Sequence, residues 1–348
     1  MNFLTKLLMP FQKGMRQSIS SFIQLETSDD AHTVVATDGS LLSYIKVEGS
    51  RQVIGAEEYK RIYEGITIKV GSRFDRMGHA VQIYFARDPG RVREELERYI
   101  RPSRVAAKNI GLEVDDVLAE RVRHLERFLT HEEYYLVLWT RPVILTPSEF
   151  KRVTKEAREG TKKWVNAPSA QYPHAALEPL RTRHAGFVSA MVSAMDELGI
   201  KGDLMEVHDA LRAVRNNLFP ERAHEKWRPC LPGDPIPARM PTSKVDVSDL
   251  LWPSLPNQIV AGDAKVLGKT LVRIGNTIWA GADMTLGPMD ATPFSSLLNR
   301  LVEADIPFRI SFLVEGGGIY ATSFRTFIAT IMGPTNSQNR QIKYSLEG

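Results

Sequence analysis

The chain has 348 residues, a length that predicts two domains with sizeable buried cores. Its 45 basic and 41 acidic residues give a net charge of only +4, and 43% of its residues are hydrophobic, which argues against disorder. The one cysteine, Cys230, excludes an internal disulfide framework and a cysteine-based zinc cluster. No apolar stretch reaches the roughly 18 residues of a membrane span, and a secretory signal is not expected.

Residues 1–25 carry an apolar stripe at helical spacing, which predicts an amphipathic N-terminal segment. Pro10 should kink or break this helix. Such a segment could contact a membrane surface or a partner protein, or it could pack on the chain's own core. The residues proposed for the outside contact are Phe3, Leu4, Leu7, Leu8 and Phe11.

Residues 26–219 predict one domain that mixes helices and strands. The Asp38-Gly39 pair between two β-rich runs predicts a hairpin with both turn residues at positive φ. Thr146-Pro147-Ser148-Glu149 is typical of a helix-opening capping box. The other expected elements are a helix at 56–70, a strand at 79–87, helices within 89–131, a strand at 134–140 and two helices within 175–218, separated at Gly199 and Gly202.

Residues 220–257 have a high density of prolines, eight of which lie between 220 and 256. Proline disfavours both helix interiors and central strands, so this stretch predicts an ordered or semi-rigid connector that contains the domain boundary. Residues 258–348 then predict a second, smaller α/β unit. Its expected elements are a hairpin around Gly275-Asn276, a helix at 292–304, a strand at 308–314, a turn at Gly316-Gly317-Gly318 and a helix at 323–332.

No complete catalytic, metal-binding or nucleotide-binding motif is present in the sequence. Residues 262–270 resemble a phosphate-binding loop, but five residues separate the two glycines instead of four, and 271–274 predicts a strand where a helix is required. The eight histidines are scattered, and Cys230 has no neighbouring histidine. A serine–histidine–aspartate triad cannot be judged from spacing, although the usual serine elbow is missing. We therefore expect no catalytic, cofactor or metal site in this chain.

Tryptophan and arginine stand together at two places, Trp139 with Arg141 and Trp227 with Arg228. These residue types dominate protein–protein hot spots, so all four are candidate partner contacts. The alternative is that each tryptophan belongs to the core and each arginine binds a local carbonyl.

Five segments resemble the N-terminal region of the large ATPase of type IV secretion systems, most of all its Dot/Icm branch (DotO or IcmB) and the IncI-type conjugation counterpart. The segments are 24–30 with the 38–41 turn, 137–142, 207–212, 227–234 and 336–340. The resemblance implies a RecA-like ATPase domain C-terminal to this region, which would bind ATP and magnesium, and the chain's final residues suit a boundary before it. It also implies assembly into a ring at the cytoplasmic face of the bacterial inner membrane, in contact with inner-membrane components of the secretion system.

Two other functions remain open from the sequence. The excess of basic residues would suit a nucleic-acid-binding accessory protein of a conjugation system. However, acidic residues are interleaved with the basic ones in 91–98, and no basic stripe is present in the sequence. Nucleic acid is therefore not the expected partner. An enzyme with a site assembled from scattered polar residues is the third possibility, and it would need a pocket that holds strongly perturbed titratable groups.

Overall fold

A computed structural model describes residues 19–52, 55–75, 77–160, 170–173, 175–223, 225–235, 252–267, 270–281 and 301–317. The proposed contacts Phe3, Leu4, Leu7, Leu8 and Phe11 lie outside these residues, as do the predicted helix at 323–332, most of that at 292–304, and the 336–340 segment.

Helices and strands are interspersed along the described chain. The strands are β1 (Leu25–Ser28), β2 (Val34–Ala36), β3 (Leu41–Ser50), β4 (His79–Arg87), β5 (Glu132–Thr140), β6 (Ile200–Leu204), β7 (Ala264–Val266), β8 (Leu271–Ile274), β9 (Thr277–Ala280) and β10 (Phe308–Glu315). The α-helices are α1 (Ala56–Gly71), α2 (Val92–Asn109), α3 (Asp115–Leu125), α4 (Pro147–Gly160), α5 (Glu178–Glu197), α6 (Val207–Leu218) and α7 (Leu255–Ile259). The predicted mixture of helix and strand is confirmed.

The described strands form two antiparallel sheets. The main sheet has the order β1-β2-β3-β5-β4-β10, and β6 pairs with the same edge of β3 as β2 does, further along the strand. The small sheet has the order β7-β8-β9. Because β10 pairs with β4 along its whole length, a strand from the range assigned to the second unit belongs to the main sheet.

Both faces of the main sheet are covered, which explains why β5 is apolar at successive positions rather than at alternate ones. One face packs against α5, whose buried residues recur every three or four positions, with Phe187 fully buried among them. The other face packs against α6 and α7. Full burial of a side chain such as Phe187 contributes about 1.5–3 kcal/mol.

The proline-rich stretch contributes to this core. Leu231, Leu255 and Ile259 are buried in the same cluster as Leu25 and Val137. The short α7 begins with proline in its first turn, where the missing N–H costs nothing. The described part of the predicted connector is therefore an ordered strap on the main sheet.

Local sequence signals explain several elements. The backbone N–H of Thr146 donates to Glu149 at 2.8 Å, and the N–H of Glu149 donates back to the Thr146 hydroxyl at 3.3 Å, so the capping box is confirmed. The hairpin at Asp38-Gly39 is also confirmed, but only Gly39 has a positive φ, of +82°. The Gly39 N–H donates to the Ala36 carbonyl, which makes this a three-residue loop rather than the expected two-residue turn.

Candidate docking surfaces

A helical hairpin formed by α2 and α3 is inserted between the neighbouring strands β4 and β5. The pairing of these strands ends at Arg87 and Glu132, and the N–H of Asp88 donates to the carbonyl of His131 at 2.9 Å. The insertion therefore leaves and re-enters the sheet at the same end of two adjacent central strands.

Burial falls from the base of this hairpin to its tip. Val92 and Val122 are buried near the sheet, whereas no residue between 93 and 121 is buried. Four apolar side chains are largely exposed around the tip, and Ile110 and Leu112 reach 71% and 56% exposure. We name this group, Val105, Ile110, Leu112 and Val117, the tip patch.

Ion pairs join the two helices of the hairpin. Arg104 of α2 lies 2.9 Å from Asp115 of α3 and donates to Glu97 at 3.0 Å. At the base, Arg93 lies 3.8 Å from Glu126. These ion pairs hold the two helices of the hairpin together, and each of the two arginines lies beside an acidic residue.

Sequence reasoning missed the tip patch because apolar residues in a turn between helices carry no helical periodicity. Ile110 and Leu112 flank Gly111, whose φ is +72°. The second of the helices expected within 89–131 ends at Leu125, and Leu129 beyond it is exposed.

Trp139 and Arg141, two of the predicted contacts, are both engaged within the chain. Trp139 donates its indole N–H to Gln82 at 3.2 Å, and the Arg141 guanidinium lies 5.7 Å from its ring. Arg141 also donates to Glu315 at 2.8 Å, which joins the ends of β5 and β10. Their role in partner binding stays a prediction.

The second pair has a comparable local role. Trp227 packs against the core, with the buried Arg215 guanidinium 4.9 Å from its ring. Arg228 is exposed and lies within 3.3 Å of both His208 and Asp234. Trp139 and Trp227 both pack against the same core cluster, although they are far apart in sequence. Contact between these residues and a partner likewise stays a prediction.

The phosphate-loop look-alike is part of the small sheet. Ala264–Val266 is β7, and β8 begins at Leu271 where a phosphate-binding loop would open a helix. Gly268 and Lys269 lie outside the described residues. Gly317 belongs to the predicted glycine turn at 316–318. Its N–H donates to the Phe74 carbonyl at 2.8 Å. A Cβ at this position would lie 2.3 Å from Met77. This glycine therefore serves a close backbone approach.

Strongly shifted titratable groups are present, but none is poised for proton transfer near neutral pH. Burial raises the pKa of Glu133, yet the nearby His131, 3.5 Å away, and a hydrogen bond from Asn217 outweigh it and hold this pKa at about 2. Burial raises the pKa of Tyr84 to about 12 and lowers that of His184 to about 4. Each group thus stays in one protonation state around pH 7. Within the described ranges, no cluster of histidine, cysteine, aspartate and glutamate could hold a metal ion.

A buried network contains a serine and a histidine, but it lacks the features of a triad. His184 contacts the hydroxyls of Ser43 and Thr140 at 2.9 Å each, and His79 contacts Thr140 at 3.1 Å. The third member is a threonine instead of a carboxylate, and Ser43 and His184 are only 1% and 2% exposed. A substrate would not reach this serine, so the network is structural.

Comparisons with known proteins give no family for the chain. No protein-family model matches it, and no curated protein matches it either. Among the described residues, no helix combines the length and apolar character needed to cross a membrane.

Proposed function

We propose that this chain is the N-terminal docking and assembly region of a type IV secretion or conjugation ATPase. The observation that carries the proposal is the tip patch on the α2–α3 hairpin. Exposed apolar groups at the end of an ion-paired hairpin lose hydration when a partner covers them, and a preordered hairpin loses little conformational entropy on binding.

The proposed partner is an inner-membrane component of the secretion system, at the cytoplasmic face of the bacterial inner membrane. The tip patch is flanked by charges of both signs, including Arg104 and Asp115, which suits the polar rim of a protein interface better than the phosphate backbone of a nucleic acid. The parent protein would carry its ATP and magnesium site in a RecA-like domain beyond residue 348, and this region would connect that motor to the pore.

Site-specific photocrosslinking tests the proposal. A photoreactive phenylalanine analogue replaces Ile110 in the full-length protein in its source cells, and a matched control carries it at Lys151, an exposed position on α4. We expect the Ile110 position alone to crosslink a membrane protein that mass spectrometry identifies as a secretion-system component.

Two results would overturn the proposal. One is a protein that remains in the soluble fraction with no crosslink at Ile110. The other is steeply salt-dependent binding of DNA by the purified chain, which would favour the nucleic-acid-binding accessory role instead.

A further inference from the structure

An apolar cavity of about 690 Å³ lies between the main sheet and the small sheet. Four adjacent strands of the main sheet, β3, β5, β4 and β10, form one wall, and α6 and the small sheet form the others. Among the described lining residues Arg309 alone is charged, and its guanidinium is already paired with Asp88 at 2.5 Å. The cavity is therefore suited to an apolar occupant.

The beginning of the described chain runs along this cavity. The four consecutive residues 22–25 all line it, and the first of them ends the 3-10 helix Ile19–Phe22. Phe22 is 70% exposed at this position. Residues 1–18 lie outside the described residues, and this segment is attached to the chain at the edge of the cavity.

The apolar stripe of residues 1–18 matches the cavity in character and in size. Its five large side chains are those of Phe3, Leu4, Leu7, Leu8 and Phe11. A helix over 3–11 spans at most about 12 Å, even with the kink expected at Pro10, and the four strands of the wall span about 14 Å at ordinary spacing. An apolar cavity of about 150 Å³ holds one benzene ring, so the volume here suits roughly four or five side chains.

Residues 12–18 provide enough chain to place the stripe in the cavity. Seven residues extend to at most about 25 Å, which exceeds the width of the four-strand wall. Because the segment is tethered, its insertion is an intramolecular step with an effective concentration on the order of millimolar. A free apolar molecule, or a second copy of the chain at a lower concentration, competes poorly with it.

The basic residues of the segment lie off the apolar stripe. At about 100° per residue, Lys6, Lys13 and Arg16 fall on the side of the predicted helix opposite the stripe. They can stay in water while the stripe is buried, so insertion leaves no buried charge without a partner.

We propose that residues 3–11 dock in this cavity of their own chain. Phe3, Leu4, Leu7, Leu8 and Phe11 pack against its apolar walls, and the basic residues of the segment face solvent. The five side chains thereby take the intramolecular role that the sequence left open beside a membrane or partner contact. This inference is independent of the proposed function, because the tip patch and the cavity share no residue.

Thiol labelling of the full chain tests the proposal, with Cys230→Ser as the background that removes the one native cysteine. We expect Leu7→Cys, on the stripe, to react at least about tenfold more slowly than Lys6→Cys, on the opposite side. The slow rate should not depend on the protein concentration. Equal rates would overturn the proposal, and so would a Leu7→Cys rate that falls as the protein concentration rises, because a second copy would then cover the stripe.

Filling the cavity locates the docking site. Val272→Trp fills it from the small sheet, and we expect labelling of Leu7→Cys to become at least about fivefold faster. The matched control is Ile278→Trp, on the outer face of the same sheet, where the side chain is 59% exposed and does not line the cavity. It should leave the rate unchanged.

Circular dichroism and the urea midpoint show whether the filled variant keeps its fold. Ala213→Phe fills the cavity from α6 and replaces Val272→Trp if that variant does not fold. A folded filling variant in which Leu7→Cys reacts at the parent rate would overturn the proposal.

Vesicles distinguish a lipid contact from an internal one. Anionic vesicles of equal parts phosphatidylcholine and phosphatidylglycerol should leave the labelling of Leu7→Cys unchanged. Labelling that is fast in buffer and slow only with vesicles would contradict internal docking and place the stripe on a lipid surface instead.

Discussion

The hydroxyl oxygen of Ser43 lies 2.9 Å from Nε2 of His184, and the same hydroxyl donates to the carbonyl of His32 at 2.8 Å. Because the serine proton is used in that bond, Nε2 of His184 must be the donor to Ser43, and Nδ1 must accept from Thr140. His79 then donates to Thr140. Every polar group in this chain of bonds is satisfied only while His184 is neutral.

The first prediction is that acid weakens the fold through His184. Its pKa falls from an ordinary 6.5 to about 4 because burial disfavours the charged ring, and burial lowers the pKa of His79 too. Between these values the unfolded chain binds more protons than the folded one, so the contribution is complete above about pH 6.5 and is lost progressively as the pH falls toward 4. For His184 it amounts to roughly 3 kcal/mol.

Urea unfolding at a series of pH values measures this loss. His184→Gln should flatten the pH dependence, whereas the same change at exposed His124 should leave it as in the parent protein. An unchanged slope in His184→Gln would show that other groups cause the acid sensitivity.

The second prediction concerns Gln171, which holds the proline-rich strap to the main sheet. Its side-chain amide donates to the carbonyls of Cys230 and Pro253 at 2.7 and 2.9 Å, and its oxygen accepts from Thr27 at 3.1 Å. Gln171→Ala removes all three bonds; the two carbonyls keep a hydrogen bond from Gln258, whereas the buried Thr27 hydroxyl loses its acceptor, so the change should cost roughly 1–3 kcal/mol.

Thiol labelling provides a local measurement of the same effect, because Cys230 is the one cysteine in the chain. Burial raises the pKa of this thiol, so labelling of the folded protein should be slow. We expect faster labelling in Gln171→Ala and no change in Gln52→Ala, at an exposed position. Equal rates in the two variants would mean that the strap is held by other contacts.

The third prediction compares two glycines. Glu221 anchors the small sheet by accepting hydrogen bonds from the Asn276 N–H and the Thr277 hydroxyl, each at 3.1 Å. Gly275 has a φ of +58°, and a Cβ there would lie 2.3 Å from this carboxylate. Gly275→Ala should therefore destabilise this anchor by at least about 1–2 kcal/mol and expose β8 and β9 to proteases. Gly186, inside α5, has open space around its added Cβ, and Gly186→Ala should stabilise the protein by up to about 1 kcal/mol. Equal stability of the two variants in urea would contradict the geometry.

The fourth prediction tests the attachment of β10 through a buried ion pair. Arg309 of β10 donates to Asp88 at 2.5 Å, and both side chains are nearly buried. Asp88→Ala would leave the arginine charge without this partner and should cost about 3–5 kcal/mol, whereas the double variant Asp88→Ala/Arg309→Met should recover most of the loss.

Hydrogen exchange of β10 localises the effect. The amides of Phe308–Glu315 that bond to β4 should exchange slowly in the parent protein and faster in Asp88→Ala. Rapid exchange already in the parent would show that β10 is not held as a sheet strand.

Local signals in the sequence predicted the elements whose causes are local. The strand at 79–87 has the predicted bounds, and the capping box at Thr146 and the hairpin at Gly275 are both found. β6 was missed, because Ile200–Leu204 has two charged residues and a glycine among five and takes its shape from pairing with β3. Gly202 allows close packing there, since a Cβ would lie 2.5 Å from the Met195 side chain and 3.0 Å from that of Ile45.

Long-range pairing could not be predicted from one sequence. Nothing in the residues of β10 specifies that they extend the sheet at β4, more than 200 positions earlier. The apolar cavity between the main sheet and the small sheet is a product of the same kind of packing, because its lining comes from separate stretches of the chain. Exposure at the tip patch likewise follows from the direction in which the hairpin leaves the sheet.

The hairpin leaves the sheet after Arg87 and returns at Glu132, its cross-strand neighbour, so its two ends lie side by side. A connection with adjacent ends can grow, shrink or be exchanged without altering the register of the strands that carry it. The hairpin can therefore be replaced as a unit. A short β-turn that connects Asp88 to His131 in its place should preserve the sheet. Changes confined to this insertion would alter the exposed tip and leave the sheet that carries it as it is.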